Sequence, residues 1–221
     1  RSLQAPILLL PLVFESDLCG ALIEYYRTQG GSESGYMRDV EGRTVAIVDH
    51  GHKRRRDSPI EDRQLREACM VRMFDRVRPQ IEKAFQFRAT HIERHIVACY
   101  DAKDGAHFRP HRDNTTRGTA HRRFAVSVFL NTSEYEGGWL RFPEFGPGLY
   151  AAPTGSAIVF SCSLLHEVTP VLKGSRYVYL PFLYDEAAAQ VRSENMKHVA
   201  GTDDPTGSRL SSGLSGPAAT L

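Results

Sequence analysis

The sequence predicts a mostly β domain with flanking helices, an α+β chain in which N-terminal helices pack on a β-sandwich or jelly-roll barrel. Three observations carry this. Apolar residues recur at helical spacing up to about residue 88; from residue 91 the pattern breaks into short runs separated by Gly, Pro, Asn and Asp; and 221 residues is a length that a single all-β barrel can use entirely. At 41% hydrophobic and 24% charged residues the composition is ordinary for a globular protein, which excludes a disordered, collagenous or disulfide-scaffold chain.

The first residue is Arg1 rather than Met, as expected of a fragment or a processed product. The apolar run from Ile7 to Phe14 is interrupted by Pro11 and followed by Glu15 and Asp17. It is too short to span a bilayer and lacks the basic flank of a signal peptide, so it reads as a buried strand. Ser16 is placed as the N-cap of a helix over Asp17 to Thr28, with Leu18, Ala21, Leu22 and Tyr25 at core spacing and Gly30-Gly31-Ser32 ending it. Residues 43–48 read as a strand and 49–58 as a polar loop. Its basic run, His52-Lys53-Arg54-Arg55-Arg56, reads as solvated, the alternative being a lid that touches an acidic or peptide substrate. Ser58-Pro59-Ile60-Glu61 combines a capping box with Pro at the first helical position, so a second helix is expected to run to Val77 and to kink or restart at Pro79 toward Phe87.

Strands are expected at 91–100, 122–131, 138–142, 157–161, 165–171 and 176–184. Asp185 is placed as the cap of a last helix over Glu186 to His198. Residues 201–221 hold little to bury and read as a disordered tail. The chain is therefore one domain over 1–200, with helical support at 16–88 and a jelly roll at 91–186. There is no internal repeat. A net charge of +2 argues against nucleic acid or an anionic membrane as partner. Four cysteines without a CxxC suit a reducing, cytoplasmic setting, and Cys162 reads as a small buried residue. Trp139 is expected to pack between the sheets.

Nine histidines remain. Composition alone gives about one His-x-Asp/Glu by chance, and the chain has two, His91-Ile92-Glu93 and His111-Arg112-Asp113. The first belongs to a trio with His95. At roughly 3.3 Å per residue, His91 and His95 stand about 13 Å apart on a straight strand, too far to share one ion; a solvated or salt-bridged strand face is the better reading. In the second pair the side chains lie about 7 Å apart on one face, close enough to converge. His166 lies in a strand-like segment that can sit opposite in a barrel. Two His and one carboxylate on one face of an octahedral ion leave three positions open, the arrangement of non-haem Fe(II) oxygenases. Ten residues beyond His166 comes Arg176, whose fork suits a carboxylate.

These residues resemble the Fe(II)/2-oxoglutarate-dependent dioxygenases, specifically their prolyl 4-hydroxylase-like branch. Five motifs carry the likeness over about residues 92–186: Ala98-Cys99-Tyr100; Gly105, Phe108, His111, Asp113 and Asn114; Leu130-Asn131; Gly137-Gly138 with Leu140, Phe142 and Pro143; and His166-Glu167-Val168 with Pro170, Val171, Gly174 and Arg176. The resemblance implies a double-stranded β-helix, with His111, Asp113 and His166 as iron ligands. Arg176 would bind the distal carboxylate of 2-oxoglutarate, and Tyr100 would hydrogen-bond the cosubstrate near the metal. Phe129 stands where the oxygen-sensing enzymes have a Tyr, and Leu180 where they have a Thr, which leaves more of the cosubstrate to Arg176.

The activity implied is hydroxylation, in which O2 and 2-oxoglutarate give succinate, CO2 and an alcohol, with ascorbate as a reductant for the iron. The carboxylate of Asp113 fills the place a halide would need, which argues against a halogenase. The target is a prolyl residue in a peptide or, alternatively, a free amino acid or small metabolite; His107 and Arg112 flank the ligands where a substrate would enter. A non-catalytic jelly-roll metal-binding or sensor module is the competing class, disfavoured because such a module needs neither an open iron vertex nor Arg176.

Overall fold

The computed structural model describes residues 3–199 and 208–210. Two sheets face each other. In the larger, the strands run in the order Ser208–Arg209, His91–Glu93, Phe182–Tyr184, Phe124–Phe129, Ser175–Tyr179, Ile96–Asp101, Arg56–Pro59 and Ser32–Glu33; Ala157–Ser161 pairs with Phe124–Phe129 and carries the edge strand Leu8–Leu10. The smaller has five strands in the order Leu149–Tyr150, Leu140–Arg141, His166–Val168, His107–His111 and Lys53–Arg54. Within both sheets neighbouring strands pair antiparallel among the described residues, so each strand presents alternate residues to opposite faces.

That alternation builds two cores. Val97, Cys99, Val126, Val128 and Tyr179 point outward from the large sheet, against Leu18 and Leu22 of helix α1 (Ser16–Gln29) and Met73, Val77 and Ile81 of the second helical stretch. Ile96, Ala98, Tyr100, Ala125, Phe129 and Val178 point inward against Phe108, Leu140 and Val168 of the small sheet. The jelly roll with helices on one sheet is thus the predicted architecture.

Several local expectations differ. Glu15, not Ser16, is the N-cap of α1, and it makes no side-chain cap bond. The buried stripe is Leu18, Cys19, Leu22, Ile23 and Tyr26, so Ala21 faces solvent. Pro59 ends a strand instead of opening a helix; α2 (Arg63–Arg72) is capped by Asp62, whose carboxylate accepts from the Leu65 amide at 2.9 Å. A π-helical turn, Met73–Val77, then absorbs the amide missing at Pro79 and leads into α3 (Arg78–Phe85).

The strand expected at 91–100 breaks at Arg94, which has φ 69°; prolines at 170 and 181 split two others. Residues 49–58 are not a loop but contribute strands to both sheets. Asp185 caps α4 (Glu186–Asn195) as expected, accepting from the Ala188 amide. The apolar run near the N-terminus forms only the edge strand Leu8–Leu10, with Leu9 and Leu12 exposed, and Trp139 lies at the surface rather than between the sheets. The expected tail falls mostly outside the described residues, yet Ser208–Arg209 pairs with His91–Glu93 and Leu210 is buried.

Candidate active site

The two strands that face each other across the small sheet bring the predicted ligands together. His166 is registered directly opposite His111. Asp113 lies two residues past the end of its strand, and its amide donates to the Cys162 carbonyl at 3.0 Å, which turns the carboxylate back toward both rings. His111 Nε2 stands 3.6 Å from one Asp113 oxygen and His166 Nε2 3.4 Å from the other. The three candidate ligand atoms lie within 4.8 Å of one another. Neighbouring ligands on one ion, with bonds of roughly 2.1 Å, stand about 3.0 Å apart, so the side chains need to move little to close on a metal.

Backbone contacts fix which nitrogen is offered. His111 Nδ1 donates to the Arg109 carbonyl at 2.8 Å and His166 Nδ1 to the Leu164 carbonyl at 3.0 Å, so both Nε2 lone pairs face the carboxylate. Burial, and then the neighbouring His166, hold the His111 imidazole well below its ordinary range, which keeps it neutral and able to bind a metal. Phe108 stacks on His111 with ring centroids 3.4 Å apart, and the Phe160 ring stands 4.6 Å from His166.

Arg176 is registered beside Tyr100 on the inner face of the large sheet. It is among the largest fully buried side chains, 1% exposed, and its guanidinium lies 5.1 Å from the ring centres of both Tyr100 and Phe129. Among the described residues none of its three nitrogens has a hydrogen-bond partner. Gly138 makes the room: a Cβ there would stand 2.8 Å from Arg176 Cδ. The guanidinium, Tyr100, Phe108 and the three candidate ligands line one internal cavity. A buried, unpartnered guanidinium costs several kcal/mol unless an anion meets it, and a metal triad with a carboxylate receptor in one cavity suits a chelating dicarboxylate.

Three wall residues went unrecognised in the sequence. The run 52–56 is only half solvated: Lys53 and Arg55 are buried and Arg54 and Arg56 exposed, the period of a strand. Arg55 pairs bidentately with Asp57, both bonds 2.6 Å, and donates to the Tyr100 hydroxyl at 3.3 Å. Arg94 reaches the same Asp57 at 3.2 Å. The strict alternation Lys53, Arg55, Asp57 was the signal. Of the expected solvated or salt-bridged face at His91, Glu93 and His95, Glu93 takes the salt-bridged form, buried within the fold. Glu93 is 3% exposed and takes His121, Arg122 and Arg192, while His95 meets the Tyr179 hydroxyl at 2.7 Å.

Comparison with known proteins places these features. Residues 95–184 match the model of the 2OG-Fe(II) oxygenase superfamily. A PKHD-type hydroxylase of Paracoccus denitrificans is 30% identical over 76% of this chain and 78% of its own length; one of an Azoarcus species is 36% identical over 37% and 39%. A Trichoplax adhaerens prolyl hydroxylase, solved with a hypoxia inducible factor oxygen degradation domain peptide, superposes with a TM-score of 0.59 at 16% identity, covering 86% of this chain and 87% of that one. A Pseudomonas putida prolyl-4-hydroxylase gives 0.56 at 17%, covering 83% and 94%. These two likenesses speak for the fold, a double-stranded β-helix.

Proposed function

The chain belongs to the 2OG-Fe(II) oxygenase superfamily, and from that membership we propose which of its residues do the chemistry. It is an Fe(II)- and 2-oxoglutarate-dependent hydroxylase of the prolyl 4-hydroxylase-like branch, consuming O2 and 2-oxoglutarate and releasing succinate, CO2 and a hydroxylated product. His111, Asp113 and His166 hold the iron, and Arg176 takes the distal carboxylate of 2-oxoglutarate. When bound, the metal and cosubstrate supply the oxidising chemistry that converts a C–H bond to an alcohol.

The chain's own residues do the rest. The Arg109 and Leu164 carbonyls set the histidine tautomers. Arg55 has only protons to give, so the Tyr100 oxygen accepts from it and the Tyr100 proton is left for a cosubstrate oxygen. Phe108, Phe160 and Leu140 line the cavity with apolar surface that excludes water. The observation that carries this reading is the buried, unpartnered Arg176 in one cavity with the triad.

Ascorbate as a reductant for the iron is part of the same proposal, as is a prolyl residue in a peptide as target, with a free amino acid or small metabolite as the second reading. A cytoplasmic setting fits four free, buried cysteines; among the described residues no helix is long and apolar enough to cross a membrane. The test is succinate release with Fe(II), 2-oxoglutarate and O2. Asp113→Ala should lower it by about a thousandfold, of the order expected for loss of an essential group (~4 kcal/mol); undiminished release in that variant overturns the ligand assignment.

A further inference from the structure

A second cavity of about 500 Å³, a size that suits a small molecule or the end of a chain, shares Arg94, Phe108, His111 and Asp113 with the first and is not lined by Arg176. Its wall is rich in cations, and their partners are unequal. Arg112 has Glu144 at 2.7 Å and Arg122 has Glu93 at 2.8 Å. Arg55 and Arg94 share the single carboxylate of Asp57, and Lys53 stands beside them without an ion pair to it. Arg55 occupies both of its oxygens, Arg94 reaches one of them at 3.2 Å, and Lys53 turns to the Ser34 hydroxyl at 2.7 Å and the Gly35 carbonyl at 2.5 Å. Among the described residues Arg94 pairs with no other carboxylate. Burial first, and the Arg55 charge second, disfavour the charged forms of Lys53 and Arg94, against the opposing pull of Asp57 and Asp113.

Position singles out Arg94. It lines the inner cavity and the wide outer one alike, beside His111 and Asp113. Its backbone is held at φ 69°, a conformation that Gly or Asn adopts more easily, and such strain persists where the surroundings impose it. The inference rests on the hydroxylase reading above, in which a dication and Arg176 balance a dicarboxylate and Asp113. That balance leaves the surplus around Asp57 unanswered. We propose that the molecule to be hydroxylated carries a carboxylate, and that Arg94, seconded by Lys53, receives it across the metal from Arg176. Arg94 is then the residue that selects the substrate class, and a free amino acid or the C-terminal end of a peptide supplies the anion.

The experiment measures hydroxylated product and 2-oxoglutarate consumption with Fe(II). Its panel holds free L-amino acids and short prolyl peptides, each as the acid and as the carboxamide. Acids should exceed their amides in kcat/KM by about tenfold or more, as expected for a hydrogen bond between charged groups. The free amino acids and the acid-terminated peptides, as separate arms, tell the two sources apart. Arg94→Asn, which tolerates the observed φ, should bring the acid-to-amide ratio close to one through KM for the acid, and Arg94→Lys should restore part of it. Equal rates on acids and amides, or a ratio that survives in Arg94→Asn, overturns the proposal. So does a panel in which no acid is hydroxylated while iron-dependent consumption of 2-oxoglutarate proceeds, an outcome that leaves the hydroxylase reading standing. Absence of that consumption removes the hydroxylase reading and this one with it.

Discussion

Replacing Arg176 by Met makes opposite demands on the stability of the metal-free protein and on its response to cosubstrate. The side chain is 1% exposed and its three nitrogens have no partner among the described residues. A buried ion of this kind costs several kcal/mol. The Tyr100 and Phe129 rings, each 5.1 Å away, return about 1–2 kcal/mol apiece as cation–π attraction. The remainder is roughly 2 kcal/mol of destabilisation that Met, long, flexible and uncharged, removes with little loss of packing. For a domain of this size about 2 kcal/mol raises Tm by roughly 4–8 °C. Thermal unfolding of the metal-free protein should show that gain. With Mn(II) as an oxygen-inert metal and 2-oxoglutarate at about a hundred times its Kd, the wild type should gain about 2.7 kcal/mol by linkage and Arg176→Met almost none. An Arg176→Met protein that melts lower than wild type and still responds to 2-oxoglutarate would refute the reasoning, because the guanidinium would then be a structural group.

Other perturbations separate the parts of the site. Gly138→Ala forces a side chain into φ 61° and sets its Cβ 2.8 Å from Arg176 Cδ; calorimetry should find 2-oxoglutarate binding weakened by about tenfold, from about 1–2 kcal/mol of backbone strain and a displaced guanidinium, with metal affinity kept. Tyr100→Phe strands one Arg55 N–H and removes a donor to the cosubstrate, so the same titration should show a loss of about three- to tenfold. Glu93→Gln should cost about 3–5 kcal/mol in denaturant unfolding, because buried His121 and the partly buried Arg122 and Arg192 lose their counter-charge. Burial pushes the Glu93 carboxyl up, but Arg122 and the His121 hydrogen bond outweigh it and hold the group well below its ordinary 4.5. A depressed folded pKa stabilises fully above the unfolded value and is lost as pH falls through the folded one. The wild-type Tm should therefore drop as pH falls below about 4.5, and Glu93→Gln should flatten that part of the profile.

The parts of the site legible in the sequence are those whose chemistry is rare enough to stand out. His111 and Asp113 are recognisable from two-residue spacing, although their strand ends at His111 and Pro110 with its charged neighbours hides the strand from any hydrophobic pattern. Arg176 follows Gly174, an interruption that left its direction open; pairing with Ile96–Asp101 sets it beside Tyr100. The Lys53–Asp57 wall was hidden for a different reason. A charged run reads as solvated because burying charge is costly, and only a cavity that needs the charge overrides that rule. The α1 stripe is off at two positions and Pro59 is misplaced as a helix start. In both cases local propensity gave way to the sheet beneath, which chose the buried face of α1 and extended a strand through Pro59.

Glu93 gathers three basic side chains and Asp57 two, and the contrast between them bears on substrate choice. Around Glu93 the partners are His121, Arg122 and Arg192, with hydrogen bonds of 2.8–3.0 Å to both oxygens. Through Arg192 that cluster ties the helix α4 to the barrel. Around Asp57 the basic partners are the two arginines Arg55 and Arg94, while Lys53 bonds Ser34 and Gly35 instead. Neither guanidinium can be deprotonated in a protein, and Arg55 already takes both oxygens at 2.6 Å. Arg94 is left with a longer bond of 3.2 Å and a face on the cavity. Arg55 satisfies Asp57 without that second guanidinium, whose other contact among the described residues is the Phe182 ring at 5.4 Å. A cation kept at a strained φ beside the metal triad is best accounted for by an anion that arrives from outside.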